Sequence, residues 1–216
     1  SSKVEAYKYT NLQAWFKAGY TQAYGLNGAT SEALKQFECN VHELDSYTLF
    51  TVNGKFVAGS NVEALPDGVE AGSFAELSKK HPELLKRYYG SLAKVEEDGF
   101  VALNTLFATD GIFIYVPKGK VVEKPIQVVN VLTGEQDLMV NQRNLIVVEE
   151  QAQARVLFCD HTMSMSRFVV NTVTEGHVAE SAMLDFYNLQ NQHNGTVQVG
   201  AYHFDQETRS LLNANY

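Results

Sequence analysis

The spacing of apolar residues changes character near residue 96. Before it, Val4 to Tyr24 carries Tyr7, Leu12, Trp15, Phe16 and Tyr20, a spacing closer to a helical stripe than to an alternation. Gly25, Asn27 and Gly28 break that stripe, and Ser31 to Phe37 has room for one or two further turns. Tyr47 to Val57 reads as a β-hairpin: β-branched and aromatic runs meet at Asn53-Gly54, a pair that tolerates positive φ at both turn positions. A second helical region begins at Ser73, where Ser73-Phe74-Ala75-Glu76 fits a capping box. Pro82 then suits a first helical turn, and Leu84, Leu85, Tyr88 and Tyr89 line one side before Gly90.

After that point short β-rich runs recur: Ile112–Val116, Leu145–Val148, Arg155–Phe158, Phe168–Val173, Ser181–Tyr187 and Thr196–Phe204. Small polar turns separate them, among them Pro117-Lys118-Gly119, Glu149-Glu150-Gln151-Ala152, Thr174-Glu175-Gly176-His177 and Asp205-Gln206-Glu207-Thr208. The phrase repeats about every 23–27 residues, longer than the hairpin spacing of a sandwich and suited to a β-solenoid whose coils stack on one another. Asp110-Gly111 and Asn194-Gly195 are the two places where a hairpin turn competes with that reading. The expectation is an α+β chain, with an N-terminal helical domain carrying a β-hairpin over 1–96 and a β-helix core over 97–216.

Composition narrows the class. Of 216 residues 45% are apolar, so the chain is too rich in core-forming residues to be disordered. Lys and Arg number 17 against 25 Asp and Glu, a net charge of −8, which argues against a partner held by its phosphates or an anionic membrane surface. No apolar run reaches the roughly 18 residues of a membrane span, and Ser-Ser-Lys-Val-Glu is unlike a secretory leader. Without an initiator Met, the numbering is expected to begin inside a longer reading frame. Two cysteines, Cys39 and Cys159, make no disulfide framework and point to a reducing, cytoplasmic compartment. The Asn194-Gly195-Thr196 sequon points the other way and carries little weight beside it.

Candidate chemistry is sparse. Cys159-Asp160-His161 puts a thiol and an imidazole on one strand face, half of a tetrahedral zinc or iron site. The plainer reading, a buried Cys at a strand end and a His near a turn, is favoured. His177, His193 and His203 could furnish a cupin-like metal centre but lack its close His pair, so surface or ladder positions fit better. His42 and His81 show no evident partner. Adjacent carboxylates such as Glu149-Glu150 point to opposite strand faces and make no acid–base dyad, and Glu96-Glu97-Asp98 reads as a solvated run. A solenoid carbohydrate-active enzyme would need a basic residue beside acidic ligands. The cations of this half, Lys118, Lys120, Lys124, Arg143, Arg155, Arg167 and Arg209, stand mostly near turns. No nucleophile, base and orienting group assemble, which favours a non-enzyme, with no catalytic and no cofactor-binding residue assigned.

One stretch is specific. Asp98 to Gln127, DGFVALNTLFATDGIFIYVPKGKVVEKPIQ, resembles the segment that opens the core of the SufB/SufD family. Leu103, Asn104, Phe107, Asp110, Gly111, Val116, Pro117, Gly119, Pro125 and Ile126 follow that family's phrase, and Leu145-Ile146-Val147-Val148-Glu149 adds agreement further on. A first half without a cysteine-rich insert is more similar to the SufD branch than to SufB. The resemblance implies a right-handed parallel β-helix after an N-terminal helical domain, and a non-catalytic scaffold role in SUF iron–sulfur cluster assembly. It also implies pairing with SufB through the β-helices, linkage to the ATPase SufC through a C-terminal segment absent from these residues, and a cluster handled transiently by the full complex. Neither nucleic acid nor membrane is implied. SufD-like members carry a Cys-Ser-His-Gly phrase near the end of the β-helix. Cys159-Asp160-His161 comes too early and lacks its Ser and Gly, so no family functional residue is carried over. With strand-like sequence running almost to Tyr216, the chain is expected to be the N-terminal portion of such a protein, with an exposed coil end prone to self-association.

Overall fold

The structure is a computed structural model that describes residues 17–24, 44–60 and 62–216. Most of the helical stripe read over Val4–Tyr24, the turns read over Ser31–Phe37, and both Cys39 and His42 lie outside the described residues. The described chain is rich in strands, with three α-helices between residues 74 and 107.

Two mostly parallel sheets face each other. The first runs β11 (Thr196–Gln206), β9 (Phe168–Val178), β7 (Leu138–Val148), β5 (Ile112–Val116), β4 (Glu70–Ser73), with β1 (Thr21–Gln22) beside β7. The second runs β12 (Leu211–Asn215), β10 (Met183–Asn191), β8 (Gln153–Thr162), β6 (Ile126–Leu132), β2 (Tyr47–Val52), β3 (Lys55–Ser60). From β6 onward the chain alternates between the sheets, so each strand pairs in parallel with the strand one coil away, a β-solenoid of about 3 turns. Leu138 lies opposite Phe168, Gln153 opposite Met183 and Phe168 opposite Thr196.

The coil is thus about 30 residues long, not 23–27. The shorter period came from taking Thr174-Glu175-Gly176-His177 as a turn, whereas those residues continue β9, which is buried along its whole length. The true corners form a ladder of their own. Pro117–Lys120, Glu149–Ala152, Ala179–Ala182 and Glu207–Ser210 each close on a hydrogen bond from the fourth residue's N–H to the first residue's carbonyl. Each places its third residue at positive φ: Gly119 at 71°, Gln151 at 61°, Ser181 at 58° and Arg209 at 60°. That residue's N–H donates to the next coil, Gly119 to Glu150 O, Gln151 to Glu180 O and Ser181 to Thr208 O.

Alternation along the strands divides the side chains. Ile112, Ile114, Val116, Ile146, Val148 and Val178 point inward from the first sheet to meet Leu49, Ile126, Val128, Val156, Phe158, Leu184 and Phe186 of the second. On the outer face of the first sheet Phe113, Leu145 and Val147 pack against Phe74, Leu77, Leu84 and Tyr88 of α1 (Phe74–Lys80) and α2 (Pro82–Tyr88). A third helix, α3 (Gly99–Phe107), is capped by the Asp98 carboxylate, which accepts from Phe100 N.

Several local expectations hold. Asn53 and Gly54 turn the β2–β3 hairpin with φ of 49° and 79°. Ser73 caps α1 by accepting from Glu76 N at 3.2 Å, and Pro82 opens α2. The N-terminal region, however, is mostly strands among its described residues and not a helical domain. Thr21–Gln22, read as the end of a helix, instead pairs with Leu138–Met139, a stretch of the β7 edge that β5 does not reach. Strand β2 joins β6 in parallel and β4 joins β5 antiparallel, so this region closes the first coil; tertiary pairing overrides local propensity. Neither suspected hairpin forms. Asp110-Gly111 leads from α3 into β5, where a Cβ on Gly111 would fall 1.8 Å from Arg143 O, and Asn194-Gly195 joins strands of different sheets.

Candidate functional site

The polar residues of the solenoid gather into two buried centres. The first lies between the outer face of the first sheet and the helical layer. Arg143 of β7 faces Val173 of β9, so Glu175, two residues further on, is its diagonal neighbour on the same face. The pair meets at 2.5 Å with side chains 2% and 0% exposed. The Glu175 carboxylate also accepts from the backbone N–H groups of Gly90, Leu92 and Ala93 at 2.9, 2.9 and 3.0 Å. Burial pushes the Glu175 pKa up, but the Ala93 amide, the Arg143 charge and the other two amides outweigh it and hold the group below the usual carboxylate range. Arg143 lies 4.5 Å over the Tyr89 ring, and its Nη1 reaches Thr105 Oγ1 of α3 at 3.4 Å. Nearby, Asn104 Nδ2 donates to Gln142 O and Asn171 O, and Asn171 Nδ2 donates to Asn141 Oδ1 and Phe100 O. With four donors fixed on it, the Glu175 carboxylate is built to hold the 90–93 segment, not to take a proton from a substrate.

Beside it, His177 shares a cleft of about 260 Å³ with Arg87, Tyr88, Ser91, Leu92, Asp205 and Glu207. Ser91 Oγ donates to Tyr88 O at 2.7 Å, which leaves His177 Nε2 to donate to Ser91 Oγ at 3.2 Å. Burial lowers the His177 pKa, with Glu175 and Asp205 opposing it. Tyr88 donates to Glu149 Oε1 at 3.2 Å, and burial together with that carboxylate pushes its phenol up to about 12. Glu150 turns the other way to Lys118 at 2.5 Å, so the adjacent carboxylates do separate jobs.

The second centre is inside the solenoid. Asp160 of β8 accepts from Asn130 Nδ2 at 2.7 Å, Asn188 Nδ2 at 2.9 Å and Gln198 Nε2 at 3.2 Å. Thr51 donates to Asn130 Oδ1, and Gln142 bridges the two sheets to the same oxygen. These contacts tie both sheets across neighbouring coils.

Cys159 and His161 lie on the opposite face of β8 from Asp160. Cys159 is buried and accepts from Gln127 Nε2 at 3.5 Å, and His161 is half-buried, its pKa lowered by burial against the pull of Asp160. The other three histidines do not converge. His177 and His203 stand on neighbouring strands, whereas His193 packs by Phe168 at the far end of β9, about 30 Å away at the rise of a strand. Among the described residues no group of three or more His, Cys, Asp and Glu is placed to hold a metal ion. His81, which showed no partner in the sequence, meets Glu70 at 3.0 Å and Glu83 at 3.4 Å. Arg143 does not stand near a turn, and neither its pairing with Glu175 nor the role of Asp160 was read from the sequence. The available signal was a pair of opposite charges about one coil apart, within stretches free of Gly-Pro turn chemistry until Gly176.

Comparison with known proteins gives this parallel solenoid, with its helical layer against one sheet, a family. The profile of the SufBD protein N-terminal region matches residues 1–128, and that of the SUF system FeS cluster assembly SufBD core domain matches residues 130–216. The chain belongs to the SufBD family. It is 30% identical over 142 residues to an iron–sulfur cluster assembly SufBD family protein of Synechocystis, covering 64% of this chain and 29% of that protein. A chloroplastic SufBD family protein of Arabidopsis thaliana is 27% identical over 168 residues, covering 74% of this chain and 28% of its own length. The chain therefore spans under a third of the curated relatives it matches. Family membership sets aside the carbohydrate-active and cupin-like alternatives. No described helix is long and apolar enough to cross a membrane.

Proposed function

We propose that these residues form the opening coils and helical shield of a non-catalytic scaffold subunit of the SUF machinery. In this reading it is SufD-like, working in the cytoplasm and pairing with SufB through the β-helix. SufC is held by a segment beyond residue 216, and the iron–sulfur cluster passes through the complex as cargo. The observation that carries the reading is the hydrogen bonding of the two buried carboxylates. Glu175 and Asp160 are each bound by several donors and serve to hold coils and helical layer in one geometry, as a scaffold requires. Pairing by extension of parallel sheet draws on the same backbone groups that join each coil to the next. Co-expression of the tagged full-length protein with its cognate SufB and SufC tests this, with both partners expected to be retained. Failure to retain SufB overturns the pairing, and retention of SufC by residues 1–216 alone overturns the placement of the SufC contact.

A further inference from the structure

We propose that the cleft beside His177 binds a protonated primary amine carried on a short aliphatic stem. The cleft is bounded by the end of α2, the segment that follows it and the ends of β9 and β11, and encloses about 260 Å³. Pockets for drug-sized ligands begin at roughly 300 Å³, so this volume suits a small linear molecule better than a nucleotide or a sugar chain. Contacts among the walls fix their positions. Ser91 Oγ lies 3.2 Å from His177 Nε2, the Tyr88 and His177 ring centroids are 4.5 Å apart, and Asp205 stands directly opposite His177 in the β9–β11 register. Glu207 N donates to Val178 O at 2.9 Å, which sets the second carboxylate beside the residue that follows His177.

The chemistry of these walls is one-sided. Among the described residues neither Asp205 nor Glu207 forms an ion pair. Arg87, the guanidinium of the lining, packs 4.8 Å over the Tyr88 ring and is paired with neither carboxylate. Ser91 Oγ donates to Tyr88 O and accepts from His177, which leaves it one further lone pair. Burial lowers the His177 pKa, so at neutral pH the imidazole adds no opposing charge. The cleft therefore presents two carboxylates and a hydroxyl lone pair against one cation. An ammonium group carries three N–H donors and no acceptor, which matches that set, whereas a carboxylate or phosphate would meet two like charges. Leu92 and Val147 give an aliphatic stem an apolar wall. The site uses neither Glu175 nor Asp160 and does not depend on the scaffold reading above.

Isothermal titration calorimetry on the full-length protein at low ionic strength tests the site. Putrescine serves as a free amine, N-acetyl-lysine amide as the side chain of a protein lysine, and butanediol as the uncharged control. An amine is expected to bind at one equivalent per chain and butanediol not to bind, and the tighter of the two amines identifies the source of the ligand. Asp205→Asn combined with Glu207→Gln should weaken that amine about fivefold or more. Arg87→Gln removes the opposing charge and should tighten it about twofold. Glu135→Gln, ahead of the far end of β7, should leave it unchanged. All four replacements are at exposed positions, so the fold is preserved for the comparison. The proposal is overturned if neither amine binds at millimolar concentration, or if butanediol binds as well as they do. It is equally overturned if the double carboxylate variant binds like the unaltered protein, if Arg87→Gln weakens binding, or if Glu135→Gln matches the double variant.

Discussion

Glu175 shows how one side chain in this protein ties two layers together. Its charge is paired by Arg143 and solvated by three backbone amides instead of water, and removing one partner leaves the other buried without compensation. Glu175→Ala should therefore lower stability in urea unfolding by about 3–5 kcal/mol. Arg143→Met combined with Glu175→Gln should fall less far than Glu175→Ala, since Gln keeps an acceptor for the amides and no charge is stranded. His177 makes a pH-dependent contribution of definite sign. Its folded pKa lies below the ordinary 6.5, so the unfolded chain binds more protons between the two values and stability falls as pH drops below 6.5. Thermal unfolding in low salt between pH 7.5 and 5.5 should show that loss, and His177→Asn should flatten it. A profile rising toward acid would mean that Glu175 and Asp205, rather than burial, govern the imidazole. Neither role was legible in sequence, because Thr-Glu-Gly-His has the composition of a turn and only the pairing of β9 with β7 and β11 shows it to be strand.

At the scale of elements, the informative failure is β7. The β-rich run read from the sequence begins at Leu145, yet Asn141-Gln142-Arg143-Asn144 belong to the same strand and all four are buried. They face either the lumen, where Gln142 meets Asn130, or the helical layer, where Arg143 meets Glu175. A strand buried on both faces by polar partners has no alternation for pattern reading to find. The corners were more legible, since Pro117-Lys118-Gly119 and Glu149–Ala152 were both recognised as turns. Their stacked geometry makes a further prediction. Gln151 holds a left-handed conformation that costs a side-chain-bearing residue roughly 1–2 kcal/mol, partly offset by the extra unfolded-state entropy of glycine. Gln151→Gly should raise stability by up to about 1 kcal/mol in denaturant titration, and Gly119→Ala should lower it by a similar amount.

At the scale of the whole molecule, stacking makes protection uneven. Strands β7 and β9 have neighbours on both sides, whereas β1 contributes a two-residue pairing. Amide exchange should be slowest in β7 and β9 and fast in β1, and uniform protection along the chain would contradict a coil-by-coil arrangement. The sequence by itself determined the repeating strand-and-turn rhythm, the Asn53-Gly54 hairpin, the Ser73 cap, and, through residues 98–127, the family. All of these depend on neighbours close in sequence or on a long specific phrase. Only the tertiary structure decided the 30-residue coil, the pairing of Thr21–Gln22, β2 and β4 with the solenoid strands, and the joining of Arg143 to Glu175 and of Asp160 to its amides. Those features are contacts between residues a coil or more apart, and they exist only once parallel pairing has set the register.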